Sequence, residues 1–182
     1  KKWWEKAKKA MREDHQFLVP SKRTDPLVLR SNSLSPSEML VADFTDIRDP
    51  KQKIKALENL RKNLGVFKDD TEQIQVLIDS INDFCIKGRK LHLSTVLEFL
   101  VARDEVTEAI EGVDLADNDQ RLADVITTEQ DRLTESLKGR SAATQRAIFE
   151  AFPSAFGDSW DDEMLKVFDE VGSRGVTEIA KY

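Results

Sequence analysis

The sequence contains very few of the residues that build metal sites, disulfides and many catalytic centres. It has one cysteine, two histidines and one tyrosine among 182 residues. Cys85 cannot form an internal disulfide, and no set of Cys and His residues has the spacing of zinc ligands. We therefore expect no metal, no cofactor and a reducing cytosolic compartment.

Long apolar runs are also missing. No run approaches the ~18 residues of a membrane-spanning helix, and no signal-peptide pattern is present. Apolar residues make up 40% of the chain and charged residues 34%, which is the balance of a globular protein. These proportions exclude both a membrane protein and a disordered chain.

Charge is distributed unevenly along the chain, whose net charge is −6. Residues 1–30 carry nine Lys and Arg against four Asp and Glu, a surplus of +5, and residues 31–182 carry 19 against 30, a surplus of −11. An acidic body repels nucleic-acid phosphates. We therefore expect protein partners and no nucleic acid. The first thirty residues are the one stretch whose charge would permit nucleic-acid binding.

Hydrophobic periodicity predicts helices along almost the whole chain. A basic helix with two tryptophans is predicted over 2–14, followed by an extended Pro- and Ser-rich connector over 15–37. Asp49, Pro50 and Gly65 are typical of the start and stop of the next helix. Further helices are predicted at 70–88, within 91–112, and at 117–138, 142–152 and 160–171, with a short terminal helix containing Val176 and Ile179.

The predicted fold is all-α, an irregular multi-helix bundle of about seven or eight helices. The segment 91–112 has apolar residues in nearly every direction and is expected to form a central helix. A short link predicts that the helices at 49–65 and 70–88 form an antiparallel hairpin. We divide the chain into residues 1–37, the tryptophan helix with its connector, and residues 38–182, an acidic helical bundle.

No catalytic constellation emerges from the sequence. Cys85 lies between Phe84 and Ile86 on an amphipathic helix, which is typical of a small buried hydrophobic residue. Arg103 or Arg140 would suit an arginine finger, although nothing separates them from the other arginines. The acidic run at 114–125 lacks the glycine and the final glutamate of a calcium loop. We therefore expect a protein that is not an enzyme.

Two surfaces are candidates for binding a partner. Trp3 and Trp4 lie on the basic helix, and three interpretations remain open for them: packing over the core, docking of a partner protein, or contact with a membrane, for which the stripe is narrow. Trp160, Asp161 and Asp162 follow the stretch "AIFEAFPSAFGDS" and are predicted to form an exposed docking tip. The phenylalanines before them, Phe149, Phe152 and Phe156, are expected to pack around a corner at Pro153.

Two stretches, "FTDIRDPKQKIKALENLRKNLGVFKDDTEQIQVLIDSINDF" and "IFEAFPSAFGDSWDDEMLKVFDEVGSRGVTEIAKY", resemble segments of the type III secretion gatekeepers, the bacterial family of InvE, MxiC and YopN with TyeA. The first has a similar aromatic and Asp-Pro helix start. The second is similar in its proline corner, acidic helix start and final Ile-Ala turn. Together they cover roughly 75 residues, and the shorter middle segment departs from the family, whose members carry a further helical bundle there.

The resemblance implies a non-enzymatic regulator in the bacterial cytoplasm, with secretion left open, that controls the export order of translocators and effectors. Its implied partners are an export-apparatus component or a translocator–chaperone complex. The alternative is a helical regulator of a small GTPase, such as a secreted exchange factor or GTPase activator. A third alternative, an enzyme with an Asp/Glu site assembled across helices, would require a carboxylate with a raised pKa in a closed pocket.

Overall fold

The computed structural model describes residues 2–13, 16–19, 26–29, 34–68, 70–88 and 92–171, with the side chains of a few of these left aside. Within these ranges eight α-helices have eight residues or more, and two are shorter. The helices are α1 (Lys2–Glu13), α2 (Pro36–Asp46), α3 (Pro50–Lys62), α4 (Thr71–Gly88), α5 (Leu93–Ala109), α6 (Leu122–Thr128), α7 (Gln130–Leu137), α8 (Ala142–Glu150), α9 (Phe152–Phe156) and α10 (Trp160–Val171). The prediction of an all-α, multi-helix bundle is confirmed.

The segment after α1 contains a small antiparallel ladder. Strand β1 (Phe17–Leu18) pairs with β2 (Val28–Leu29), with Phe17 opposite Leu29. The connector predicted over 15–37 is therefore partly extended, as expected, but it ends at Ser35 because α2 begins at Pro36. The proposed boundary at residue 37 remains a prediction.

Helix α2 was not predicted, although its start carries a clear signal. The Ser35 hydroxyl accepts a hydrogen bond from the Glu38 backbone N–H at 3.2 Å, and the Glu38 carboxylate accepts one from the Ser35 N–H at 2.7 Å. This reciprocal pair is a capping box, and Pro36 occupies the first helical turn. The residues of this capping box and its proline all lie in the four-residue sequence "SPSE".

Helix α5 forms the centre of the bundle, as predicted. It packs against α3, α4, α6, α7 and α8, and nine of its side chains are buried. Helix α4 lies mainly against α5 and α2. The predicted hairpin of α3 and α4 is wrong as a packing unit, because both helices bury their apolar faces against α2 and α5 rather than mainly against each other.

Three predicted helix boundaries are wrong. Helix α3 ends at Lys62, and the chain tightens into a 3₁₀ turn over Leu64–Phe67 that passes through Gly65. The helix predicted over 117–138 is two helices, α6 and α7, which meet at Glu129. Pro153 does not stop a helix but lies in the first turn of α9, where a missing backbone N–H costs no hydrogen bond.

The break between α6 and α7 lies next to two threonines whose hydroxyls reach backbone carbonyls. The Thr127 hydroxyl shares its one hydrogen between the carbonyls of Ala123, at 2.9 Å, and of Ala155 in α9, at 3.0 Å. The next hydroxyl, that of Thr128, donates to the Asp124 carbonyl at 2.6 Å. Consecutive threonines that bond to backbone carbonyls favour helix ends and bends.

The two ends of the core are built around phenylalanine clusters. Near α4 and α5, the Phe84 and Phe99 ring centres lie 4.7 Å apart, and Phe44 of α2 meets Phe99 edge-on. At the other end, Phe152 meets Phe149 at 5.6 Å and Phe156 at 5.3 Å. The prediction that these last three pack around the Pro153 corner is confirmed. The predicted terminal helix with Val176 and Ile179 lies outside the described residues.

Candidate functional site

A buried polar network crosses the centre of the bundle. Arg103 of α5 is completely buried. Its Nη1 donates to the Asn82 side-chain oxygen at 2.7 Å, and its Nε and Nη2 donate to Asp104 at 2.9 and 2.7 Å. Asn82 in turn donates to Asp119 at 2.7 Å, and the Ala116 backbone N–H donates to the same carboxylate at 2.9 Å. The network therefore ties α4 and α5 to the irregular segment between α5 and α6.

This network answers one question that the sequence left open. An arginine finger has to reach into a partner's site, and Arg103 has no exposed surface and three side-chain hydrogen bonds inside its own chain. Arg103 is therefore a structural residue in this conformation. Arg140 is partly exposed and bonds to Glu98 at 3.0 Å, which joins the start of α8 to α5.

Next to the network, a groove of about 740 Å³ opens between α5, α6 and α8. We call it the α5–α8 groove. Its lining combines small or apolar side chains with charged ones. Its lining consists of Val101, Asp104, Glu105, Glu108, Leu115, Arg121, Leu122, Ala123, Ala143, Arg146, Ala147, Glu150, Ala151 and Ser154.

Four carboxylates and two guanidinium groups line the groove, and Arg103 and Arg61 beside it each pair with one of those carboxylates, so the charges balance. Arg121 donates to the backbone carbonyls of Leu115 and Ala116, and Glu105 pairs with Arg61 of α3. Burial raises the pKa of the Asp104 carboxyl above its usual value, and the Arg103 guanidinium offsets only part of that rise. A cation entering the groove would relieve the cost of keeping this carboxylate charged.

A second buried cation, Lys53, caps the C-terminal end of α2. Its ammonium group donates to the carbonyls of Phe44 at 2.8 Å and Ile47 at 3.2 Å, and it lies 4.2 Å from the centre of the Phe44 ring. Carbonyls at a helix C-terminus need such donors. Burial lowers the pKa of Lys53, and the Asp46 carboxylate offsets part of that change. These contacts satisfy the lysine, so its role is structural.

The two tryptophans of α1 are exposed. Trp3 has 76% of its surface accessible and Trp4 39%, and their ring centres lie 6.4 Å apart. Packing over the core is therefore wrong for Trp3, since nothing in the described chain covers it. Lys6 and Ala10 are also exposed and lie three and seven residues further along the same face. This leaves an apolar and basic face of α1 open to a partner.

The tip predicted at Trp160 is only partly as expected. Asp161 and Asp162 are exposed in the first turn of α10, where acidic groups suit the helix dipole. Trp160 itself is half-buried and packs against the core. The structure keeps these three residues on α10, away from Trp3 and Trp4 on α1, and the two groups do not form one site through any contact in the described chain.

Cys85 is buried, as predicted. Its thiol points to the Val96 carbonyl at 3.9 Å, and burial raises the pKa of the thiol to about 12. Such a thiol remains protonated and unreactive near neutral pH. Within the described ranges, no three His, Cys, Asp or Glu residues come together as a metal site would require.

Sequence reasoning missed the Arg103 network and the α5–α8 groove. The one available signal was the pair Arg103–Asp104 inside the otherwise apolar run "LEFLVARDEV", because charges on a buried helix must find partners. Asn82 and Asp119 lie 21 residues before and 16 residues after Arg103, and no local pattern connects them. The groove has no sequence signal, since it forms where three helices meet.

A family model described as the GRAD helix-turn-helix domain matches residues 1–34. This stretch contains α1 and the β1–β2 ladder, so the match concerns the basic N-terminal unit and leaves the helical body unassigned. Comparison with curated proteins gives no match, and comparison with solved structures gives none. None of the helices in the described chain is both long and apolar enough to cross a membrane.

Proposed function

We propose that this chain is a non-enzymatic protein–protein interaction domain that binds a partner in the α5–α8 groove. The observation that carries the proposal is the groove itself, which is lined by alanines and other apolar side chains together with charged side chains of both signs. Grooves that receive a helix or peptide combine apolar contact with charged groups in this way. The apolar side chains supply contact area, and the charged ones select a partner.

The interior chemistry is consistent with a scaffold. The strongest candidates for unusual reactivity, Arg103, Lys53 and Cys85, are each buried and satisfied by groups of the same chain. Their contacts hold helices together rather than face a substrate. The rigid placement of α5 by these contacts keeps the groove open in a defined shape.

The specific partner remains a hypothesis from the sequence. Under the gatekeeper hypothesis, the groove would bind an export-apparatus component or a translocator–chaperone complex in the bacterial cytoplasm. Under the alternative, a small GTPase would contact the body. The exposed Asp161 and Asp162, with Trp160 behind them, are a further contact in either hypothesis.

The test is a pull-down with the purified chain as bait and two matched variants. Ala143 is exposed and lines the groove, whereas its neighbour Ala142 is exposed and does not. We expect Ala143→Arg to lose the captured partner and Ala142→Arg to retain it, with both variants unfolding at the wild-type temperature. Equal capture by all three baits would contradict the groove as the binding site.

A second function is favoured by the helix-turn-helix match. Residues 1–30 carry a surplus of +5, and α1 exposes Lys6 and Lys9. In helix-turn-helix domains the second helix lies in the DNA major groove, and α1 is the helix that the structure describes within the matched residues. We propose nucleic-acid binding by the N-terminal unit as this second candidate, in contrast to the protein partners expected from the acidic body.

Fluorescence anisotropy with a labelled mixed-sequence duplex at low salt tests it. Lys6→Glu together with Lys9→Glu is expected to abolish binding, and the affinity of the wild-type chain should fall steeply as salt rises, because bound phosphates release counterions. The control is Lys138→Glu with Lys166→Glu, which changes the same charge at two exposed lysines of the body. A duplex that binds none of these chains would rule out this candidate.

A further inference from the structure

We propose that Asp119 is a positioning residue for the α5–α8 groove. Through its contact with Asn82 it fixes the irregular segment 110–121, which forms one wall of that groove. The consequence for a partner rests on the proposed function, since the site is the same. The inference goes further because Asp119 acts on the groove without being part of its lining.

This wall consists of chain without regular secondary structure. Between the end of α5 and the start of α6, Leu115 and Arg121 contribute to the groove lining. An irregular segment has no ladder of backbone hydrogen bonds to hold its shape, so its backbone groups need other partners. The contacts that supply those partners therefore decide where the wall lies.

Apolar anchoring covers only the first half of the segment. Ile110 and Val113 are buried, and Leu115 packs partly against the core. The next three residues, 116–118, are exposed and add no buried apolar side chain. The turn that leads into α6 therefore depends on polar contacts.

Asp119 makes those polar contacts on both sides of the turn. One of its carboxylate oxygens accepts the Ala116 N–H at 2.9 Å, and its own N–H donates to the Ala116 carbonyl at 3.0 Å. The other carboxylate oxygen accepts the Asn82 side-chain N–H at 2.7 Å, which joins the turn to α4. Arg121 also donates to the Ala116 carbonyl at 3.0 Å, so a side chain that lines the groove is tied to the same turn.

Asn82 is itself held in place, which makes the link a rigid one. It is buried on α4, and its side-chain oxygen accepts a hydrogen bond from Arg103 of α5. The chain of contacts from Arg103 through Asn82 to Asp119 therefore fixes the wall relative to two helices of the core. Without Asp119 the turn would lose both its own closure and its attachment to α4.

Thiol labelling inside the groove measures the position of the wall. Ala147→Cys places a thiol on the groove lining, whereas the native Cys85 is buried and its pKa of about 12 makes it slow to react. We expect Asp119→Ala to raise the labelling rate of the introduced cysteine about tenfold. Loss of one hydrogen bond to a charged group changes an opening equilibrium by about that factor.

Asp117→Ala is the matched control, because Asp117 is an exposed carboxylate of the same segment and its removal changes the same charge. Asn82→Asp breaks the link from the other side, since the new carboxylate can still accept from Arg103 but repels that of Asp119. This variant should label as fast as Asp119→Ala. In the same variants without the introduced cysteine, Cys85 should label at the wild-type rate, because the core stays closed.

Equal labelling of Ala147→Cys in the Asp119→Ala and Asp117→Ala chains would overturn the proposal. A matching rise at Cys85 would also overturn it, because that rise shows general unfolding rather than movement of the wall. In the pull-down, the Asp119→Ala bait should retain less of the protein that Ala143→Arg loses. If Ala143→Arg loses nothing while Asp119→Ala still speeds labelling, the proposed function fails and the positioning role stands. Unchanged labelling together with capture lost by Ala143→Arg has the reverse meaning.

Discussion

Replacing Arg103 with methionine tests the buried network most directly. Methionine keeps much of the buried volume but removes the donors to Asn82 and Asp104. Asp104 would then be a largely buried carboxylate without its cation, and the Asn82 side-chain oxygen would lose the group that donates to it. Breaking a buried ion pair on one side costs about 3–5 kcal/mol. For a chain of this size we expect a fall of about 6–20 °C in the melting temperature.

The loss should depend on pH, and its sign follows from Asp104. Burial already raises the pKa of this carboxyl in the folded protein, and Arg103 opposes the rise. Without Arg103 the folded pKa rises further, so the contribution of Asp104 to stability is present below the unfolded pKa and is lost as pH rises through the folded pKa. Urea unfolding should therefore give a smaller loss for Arg103→Met near pH 4 than near pH 7.

Two controls make the result interpretable. Arg140→Met breaks a partly exposed pair with Glu98, and its expected cost is at most about 1 kcal/mol. Asp104→Asn added to Arg103→Met removes the unpaired charge and should recover part of the loss. A cost below about 1 kcal/mol for Arg103→Met, or a cost equal at both pH values, would refute the role assigned to the network.

Three further predictions follow from other parts of the bundle. Ser35→Ala removes the capping box of α2 and should lower the free energy of unfolding by about 1 kcal/mol, and no change in urea unfolding would contradict the cap. Between pH 9 and 12 the Cys85 thiol ionises in the unfolded chain but stays protonated in the folded chain. The free energy of unfolding of the wild type should therefore fall by about 1.4 kcal/mol per pH unit relative to that of Cys85→Ala. Equal pH dependence of the two free energies of unfolding would contradict the raised pKa. Trp160→Ala should lower the free energy of unfolding by about 2 kcal/mol, because the ring packs against the core. A loss near zero in thermal unfolding would show that the Trp160 side chain contributes little to the core.

The sequence was sufficient to predict those features that depend on neighbours along the chain. The 3.6-residue period identified α1, α3, α4, α5, α8 and α10, and the pair Asp49–Pro50 marked the start of α3, where Asp49 accepts a hydrogen bond from the Gln52 N–H at 2.9 Å. The all-around apolar surface of α5 identified the central helix. These predictions held because helix formation and amphipathicity are set within a few residues.

The failures occurred where distant groups compete with local preference. The helix breaks at Glu129, close to Thr127, whose hydroxyl lies 3.0 Å from the Ala155 carbonyl, 28 residues away along the chain. Helices α3 and α4 have the short link of a hairpin, yet both pack mainly against α2 and α5. Pro153 was expected to end a helix, and it begins one because the chain turns at Ala151 first.

The properties of the candidate sites fall into the same two groups, those set by composition and those set by tertiary packing. Composition alone determined that the N-terminal thirty residues are basic and the body acidic. Only the tertiary structure decided that Arg103 is buried while Trp3 is exposed, and that the alanines of α6 and α8 meet the carboxylates of α5 in one groove. The physical reason is that a helix's own residues set which faces are apolar, whereas the packing of all helices together sets which of those faces are covered.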